Sequence, residues 1–205
     1  MKQHLDNTPF LSSHAEHPEI YIVCLASYHD GNIHGAWINA MQPVEDILKQ
    51  IAIMQDEGYY PNPDILSEGY SPDPDTYEIH CHKGFYNVKI YVNDDLENVR
   101  AYALFIAQYG ELGAELISNN NGNLEKAKRF MNECYLGEYE NPETFAEEFF
   151  NQHYLPRIPE DLQFYINCAC VKEAIFIRQG FSIEVGGKTH VFRYLKKPEF
   201  NTAGA

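Results

Sequence analysis

Four histidines offer the most direct chemistry in this 205-residue chain. His29 and His34 lie in one stretch and His80 and His82 in another; alternation along an extended strand would turn His80 and His82 to one face, as a pair of metal ligands requires. A metal-dependent enzyme built on His29, His34, His80 and His82 is therefore one functional alternative. Against it, the sequence holds no HExxH, no paired CxxC and no third carboxylate at a ligand spacing. Other routes to catalysis are as bare: G-x-S-x-G, GxGxxG and GxxxxGK[ST] are absent, and Gly186-Gly187 reads as a hairpin turn. We assign no catalytic residue, no metal and no cofactor.

Carboxylates dominate instead. Thirty acidic against fifteen basic residues give a net charge of −15, which argues against a conventional nucleic-acid binder, since such proteins neutralise phosphates with Lys and Arg. Fourteen acids fall between Asp94 and Asp161 against five bases, a net of −9: Asp94, Asp95, Glu97, Glu111, Glu115, Glu125, Glu133, Glu138, Glu140, Glu143, Glu147, Glu148, Glu160 and Asp161. The densest part, Glu133 to Phe150, packs six carboxylates into eighteen residues with no Lys or Arg. Such a run is either a solubilising face or a recognition surface for a basic partner.

These groups must be positioned by regular elements. In the acidic stretch, Asn141 as N-cap and Pro142 as first helical residue predict a helix to about Asn151, with Phe145 and Phe149 facing a core and Glu143, Glu147 and Glu148 on other sides. Upstream, EIYIVCLAS from Glu19 reads as a buried strand, Ala36 to Ala40 as a second, and TYEIHCHKGF as a third. Val44, Ile47, Leu48 and Ile51 predict a helix after Pro43 that fades by Gly58, and the proline-rich 59–76 reads as a long loop. Val88 to Val92 fits either a strand or an extended lead-in. Leu96 to Ile106, Leu112 to Ile117 and Leu124 to Met131 predict three short helices. A helical run begins near Glu160 with Leu162, Tyr165 and Ile166 on one face, and the chain closes on a hairpin of Phe181–Val185 and Thr189–Tyr194.

The fold class expected is α+β in three small modules: a β-rich 19–92 with one helix, a helical 93–132 and an α+β 133–195. Polar tails, 1–18 and 196–205, flank them. Trp37, Tyr28 and the other aromatics of the first module are expected in its core. Five irregularly spaced cysteines, Cys24, Cys81, Cys134, Cys168 and Cys170, fit mostly buried thiols in a reducing cytoplasm. No apolar run approaches the roughly 20 residues of a membrane span, so a soluble, cytoplasmic protein without membrane contact is expected.

Five blocks together resemble the ArdA family of antirestriction proteins, DNA mimics that inhibit type I restriction–modification enzymes. They are PEIYIVCLASYHDGNIHGAWINA (18–40), YEIHCHKGF (77–85), YLGEYENPETFAEEFF (135–150), IPEDLQFYINCACVKEAIFIRQGF (158–181) and THVF (189–192). The fourth is similar to the segment called the antirestriction motif. The resemblance implies an elongated chain of three small domains, a homodimer joined through the C-terminal domains, and carboxylates arrayed like DNA phosphates. The dimer and motif residues would be Leu162, Tyr165, Ile166, Asn167 and Glu173. The protein partner would be a type I restriction–modification enzyme whose DNA channel the carboxylates occupy, with no direct binding of nucleic acid.

Spacing makes the imitation physically reasonable. DNA phosphates on one strand advance about 3.4 Å per step, and helix residues three or four apart about 4.5 to 6 Å. Phosphate contacts carry little sequence information, so a basic channel distinguishes the two poorly. The chain also departs from the family pattern: acids are missing at Asn167, Ala169 and Ala174, one is gained at Glu173, and Asn39, Cys81 and Lys83 stand where acids are common. Such losses suit a weaker or retargeted inhibitor, and an acidic module for another basic DNA-binding protein is the remaining alternative.

Overall fold

The fold comes from a computed structural model that describes residues 17–29, 33–58, 77–166, 170, 173–174, 177–178 and 180–195. Helices combine with antiparallel sheets, so the class is α+β, as expected from the sequence. By internal contacts the chain divides into two units, Met1–Leu124 and Glu125–Ala205.

In the first unit, β1 (Glu19–Cys24) is the middle strand of a three-stranded sheet, flanked antiparallel by β2 (Gly35–Asn39) and β3 (Tyr77–Lys83). Ile20, Ile22, Ile38 and Ile79 fill the covered face, as period-two alternation requires. The strand ends earlier than EIYIVCLAS suggests. After Cys24 the chain turns into a short helix, α1 (Leu25–His29), and the Cys24 amide donates to the His34 carbonyl at 2.9 Å.

Helix α2 (Val44–Gly58) starts where Pro43 predicts, with the Pro43 carbonyl accepting from the Asp46 and Ile47 amides. Its buried stripe is Ile47, Ile51 and Met54; Leu48, expected in the core, lies on the exposed side. Helix α3 (Leu96–Asn119) joins the first two predicted helices of the middle region. A break survives at Gly110, at φ 60° and ψ −145°, a conformation glycine reaches without the cost of a side chain. Of the expected apolar stripes, Leu96, Val99, Ala103, Ile106, Leu112, Leu116 and Ile117 are buried, and Tyr102 is half-buried with its hydroxyl donating to the Gly122 carbonyl. Val88–Val92 is a lead-in rather than a strand, tied by one bond from the Ile79 amide to the Val92 carbonyl. The proline-rich 59–76 lies outside the described residues.

The second unit opens with α4 (Leu124–Arg129), which runs into a π-helical turn at Phe130–Cys134. Then come β4 (Tyr135–Tyr139), α5 (Pro142–His153), a 3₁₀ turn at Leu155–Arg157, α6 (Glu160–Gln163), β5 (Gly180–Val185) and β6 (Lys188–Arg193). The sheet order is β4-β6-β5, so β6 is central and its Val191 and Phe192 are fully buried. Phe130 packs edge-on against Phe181, ring centroids 5.1 Å apart. The hairpin turn is as predicted: Gly186 and Gly187 take φ of 59° and 75°, which a two-residue loop of this hand demands.

Two expectations for this unit change. β4 is a strand that its acidic, glycine-containing sequence hides, and its pairing with β6 shifts register between Tyr135 and Gly137, with Gly137 at φ 139°. The helical run from Glu160 stops after one turn. Pro159 gives it no side-chain cap, and an isolated turn has too few bonds to persist without an apolar face packed on a core.

A carboxylate surface on the second unit

Helix α5 is positioned from both ends of its sequence logic. Asn141 Oδ1 accepts from the Thr144 amide at 2.8 Å, which closes the N-terminus, and Pro142 supplies the preset backbone angle. Phe145, Ala146 and Phe150 are buried and Phe149 is half-buried, with the Phe145 ring 5.2 Å from that of Tyr139 on β4. That packing turns Glu143, Glu147 and Glu148 outward, all three exposed. Glu143 and Glu147, one turn apart, are separated by a rise of about 6 Å along the helix.

Glu138 on β4 and Glu140 just after it are exposed too. The field of Glu148, second to burial, raises the Tyr139 pKa, so this α5 carboxylate lies close to the β4 end of the acidic stretch. Glu160 and Asp161 are exposed on α6, which Gln163 holds back by donating to the Leu155 and Ile158 carbonyls at 3.4 and 3.0 Å. Among the described residues, Glu138, Glu140, Glu143, Glu148, Glu160 and Asp161 enter no ion pair. Two further acids of this unit are neutralised locally: Glu125 by Lys128 at 2.8 Å and Glu133 by Arg129 at 3.3 Å.

The five candidate acids of the first unit are less uniform. Asp94 is half-buried and accepts from the Tyr91 amide, Asp95 caps α3 by accepting from the Glu97 amide, and Glu115 accepts from Asn87 Nδ2 at 2.7 Å. Glu97 and Glu111 are exposed. Sequence reasoning left out Glu45 and Asp56, exposed near the two ends of α2, since it counted acids only beyond residue 93.

Beside Glu138, β4 and β6 form a polar contact at neutral pH. Tyr135 Oη lies 2.9 Å from His190 Nδ1, and Glu138 is the register partner of His190. Burial pushes the Tyr135 phenol up to about 12, with Glu138 adding to the effect, and burial lowers His190 against a smaller opposing pull from Glu138. Both groups are therefore neutral at pH 7, and the tautomer of His190 sets which of them donates.

The histidine alternative loses its geometric basis. In β3, Cys81 pairs with Tyr21 and Ile79 with Ile22, leaving His80 as an extra residue, so the alternation argument for a shared His80/His82 face does not hold across the bulge. His34 Nε2 donates to the Met54 carbonyl, His80 contacts Glu78 at 3.2 Å, and His82 stacks edge-on against Phe85. The His29 side chain is outside the described set. Among the described residues no three His, Cys, Asp or Glu side chains gather as a metal would need.

In the antirestriction-like segment, Leu162, Tyr165 and Glu173 are exposed and Ile166 is half-buried, whereas Asn167 lies outside the described residues. Sequence reasoning missed Phe164, 90% exposed beside Tyr165 at 78%. A family model described as antirestriction protein (ArdA) matches residues 20–188, most of the chain and all fourteen carboxylates.

The chain belongs to the ArdA family. No curated protein matches it. As an ArdA protein it places some residues of the family blocks where sequence did not expect them. Trp37 of the His-Gly-x-Trp element is 44% exposed rather than core, and Tyr28 is similarly exposed. The Tyr21 ring packs 5.3 Å from Trp37, and a Cβ at Gly35 would fall 2.3 Å from the Ile22 carbonyl oxygen of the neighbouring strand, which explains the glycine two residues before Trp37. Lys83, at a position often acidic in ArdA proteins, sits 4.8 Å over Trp37 and 2.6 Å from Glu19. Of the described cysteines, Cys24 and Cys134 are buried and Cys81 and Cys170 exposed, so burial is not the rule expected; Cys168 is outside the described set. No helix among the described residues is long and apolar enough to cross a membrane.

Proposed function

We propose that this ArdA-family chain is a DNA mimic that occupies the DNA-binding channel of a type I restriction–modification enzyme and blocks it by charge, without catalysis of its own. The observation that carries the reading is the exposed set Glu138, Glu140, Glu143, Glu148, Glu160 and Asp161, in and beside β4, α5 and α6, which no Lys or Arg neutralises among the described residues. An acid paired within the chain has little field left for a partner, whereas these present theirs outward. Competition with DNA would be blind to sequence and steered at long range.

Two finer elements belong to the same proposal. Leu162, Phe164 and Tyr165 expose apolar side chains in the antirestriction-like segment, which supports a homodimer formed there, with Ile166, Asn167 and Glu173 beside it. Division into three modules at 93 and 133 is kept with it.

The direct test mixes the purified protein with a type I enzyme and DNA over a salt series. Both cleavage and methylation should slow at low salt and recover as ionic strength rises, because counterion-driven binding weakens steeply. Undiminished cleavage and methylation with the protein in large excess at low salt would falsify the mimic reading.

A further inference from the structure

Between the buried Phe85 and the start of α3, the first unit holds three large side chains out of its core. Tyr86 is 51% exposed, Tyr91 62% and Val92 47%. Their backbone is pinned on both sides. The Val88 amide donates to the Phe85 carbonyl at 3.0 Å with Val88 itself buried, the Ile79 amide reaches the Val92 carbonyl, and Asp94 Oδ2 accepts from the Tyr91 amide at 2.8 Å. Asn87 is braced against α3, donating to Glu115 at 2.7 Å and accepting from Ser118 at 3.1 Å. Tyr86 takes φ 52°, a left-handed conformation that a non-glycine residue rarely adopts.

Tyrosines on a braced backbone lose little entropy when a partner covers them, and Tyr is enriched among the residues that dominate binding energy. The charge around them selects the partner. Lys89 is the single base between Tyr86 and Glu97, against Asp94, Asp95 and Glu97 with Glu115 alongside. A tyrosine ring attracts a guanidinium over its face, and neighbouring carboxylates add to that attraction.

We propose that Tyr86, Tyr91 and Val92 form an anchoring patch that docks on an arginine-bearing stretch of the restriction enzyme's DNA-binding surface, with Asp94, Asp95 and Glu115 as its charged rim. The proposal rests on the DNA-mimic reading and deepens it: phosphate-like charge would bring the partners together, and the tyrosines would supply a contact that salt does not screen.

The test measures affinity for a purified type I restriction–modification enzyme at low and at raised salt, for the wild type, a Tyr86→Ala/Tyr91→Ala pair and a Tyr86→Phe/Tyr91→Phe pair. The alanine pair should bind roughly tenfold more weakly at both salts with an unchanged salt slope, since no charge is removed. The phenylalanine pair should stay within about twofold, because it keeps the rings. Tyr91→Ala alone, which leaves the strained position 86 intact, should lose affinity in the same direction. Wild-type affinity in the alanine variants, with the wild type binding normally, would overturn the anchoring patch and leave the mimic reading standing. A wild type that fails to bind at low salt would overturn both.

Discussion

A single amide acceptor closes the helix that presents Glu143, Glu147 and Glu148. Asn141 satisfies the Thr144 amide at the start of α5, so Asn141→Ala should lower stability by about 1 kcal/mol, read as a fall in Tm of the purified protein. His190 makes a prediction of the opposite kind, about pH. Burial holds its pKa below the ordinary 6.5, so the folded chain prefers the neutral ring and the unfolded chain takes up the proton first. Its contribution to stability is complete above about pH 6.5 and is lost as pH falls through the depressed folded value. His82, also lowered by burial, acts in the same sense. Tm should therefore decline on acidification from pH 7 to 5, and His190→Gln, which can still accept from Tyr135, should flatten that decline. An identical pH profile for the variant would remove His190 from the account.

At the scale of elements, backbone approach is as decisive as side-chain chemistry. Gly180 opens β5 where a Cβ would fall 1.9 Å from the Phe192 carbonyl oxygen of the central strand, a backbone atom that cannot swing aside. Gly180→Ala should destabilise the second unit by about 3 kcal/mol, measured by denaturant unfolding, because relief requires separating β5 from β6. The acidic helix gives the complementary case. Glu143, Glu147 and Glu148 face solvent, so Glu143→Gln/Glu147→Gln/Glu148→Gln should leave the unfolding free energy within about 1 kcal/mol of wild type. The same variant should weaken partner binding sharply at low salt and reduce the slope of log K against log salt by as much as about 3, one per contact removed. An unchanged slope, measured by titration across salt, would return this helix to a merely solvated face.

For the whole molecule, the sequence was most legible where a rule acts over a few residues. Asn141-Pro142 announces α5, Gly186-Gly187 announces the hairpin, and Arg129 and Glu133 are already four residues apart on one helical path. The family blocks and the concentration of charge from Asp94 to Asp161 are properties of the string itself, and they carry the assignment to ArdA. Tertiary structure alone decided that Tyr135–Tyr139 is a strand, because its partner β6 lies some fifty residues away, with Tyr135 opposite Phe192. It decided that His80 falls in a bulge and that Trp37 stands under Lys83 in solvent. It also decided which carboxylates still have a field to offer: Glu19 is neutralised by Lys83 on another strand, while Glu143 and Glu148 meet no cation among the described residues. Charge can be counted along a chain, but its availability depends on which groups the fold brings within a few ångströms, and that distance is set by packing between segments remote in sequence.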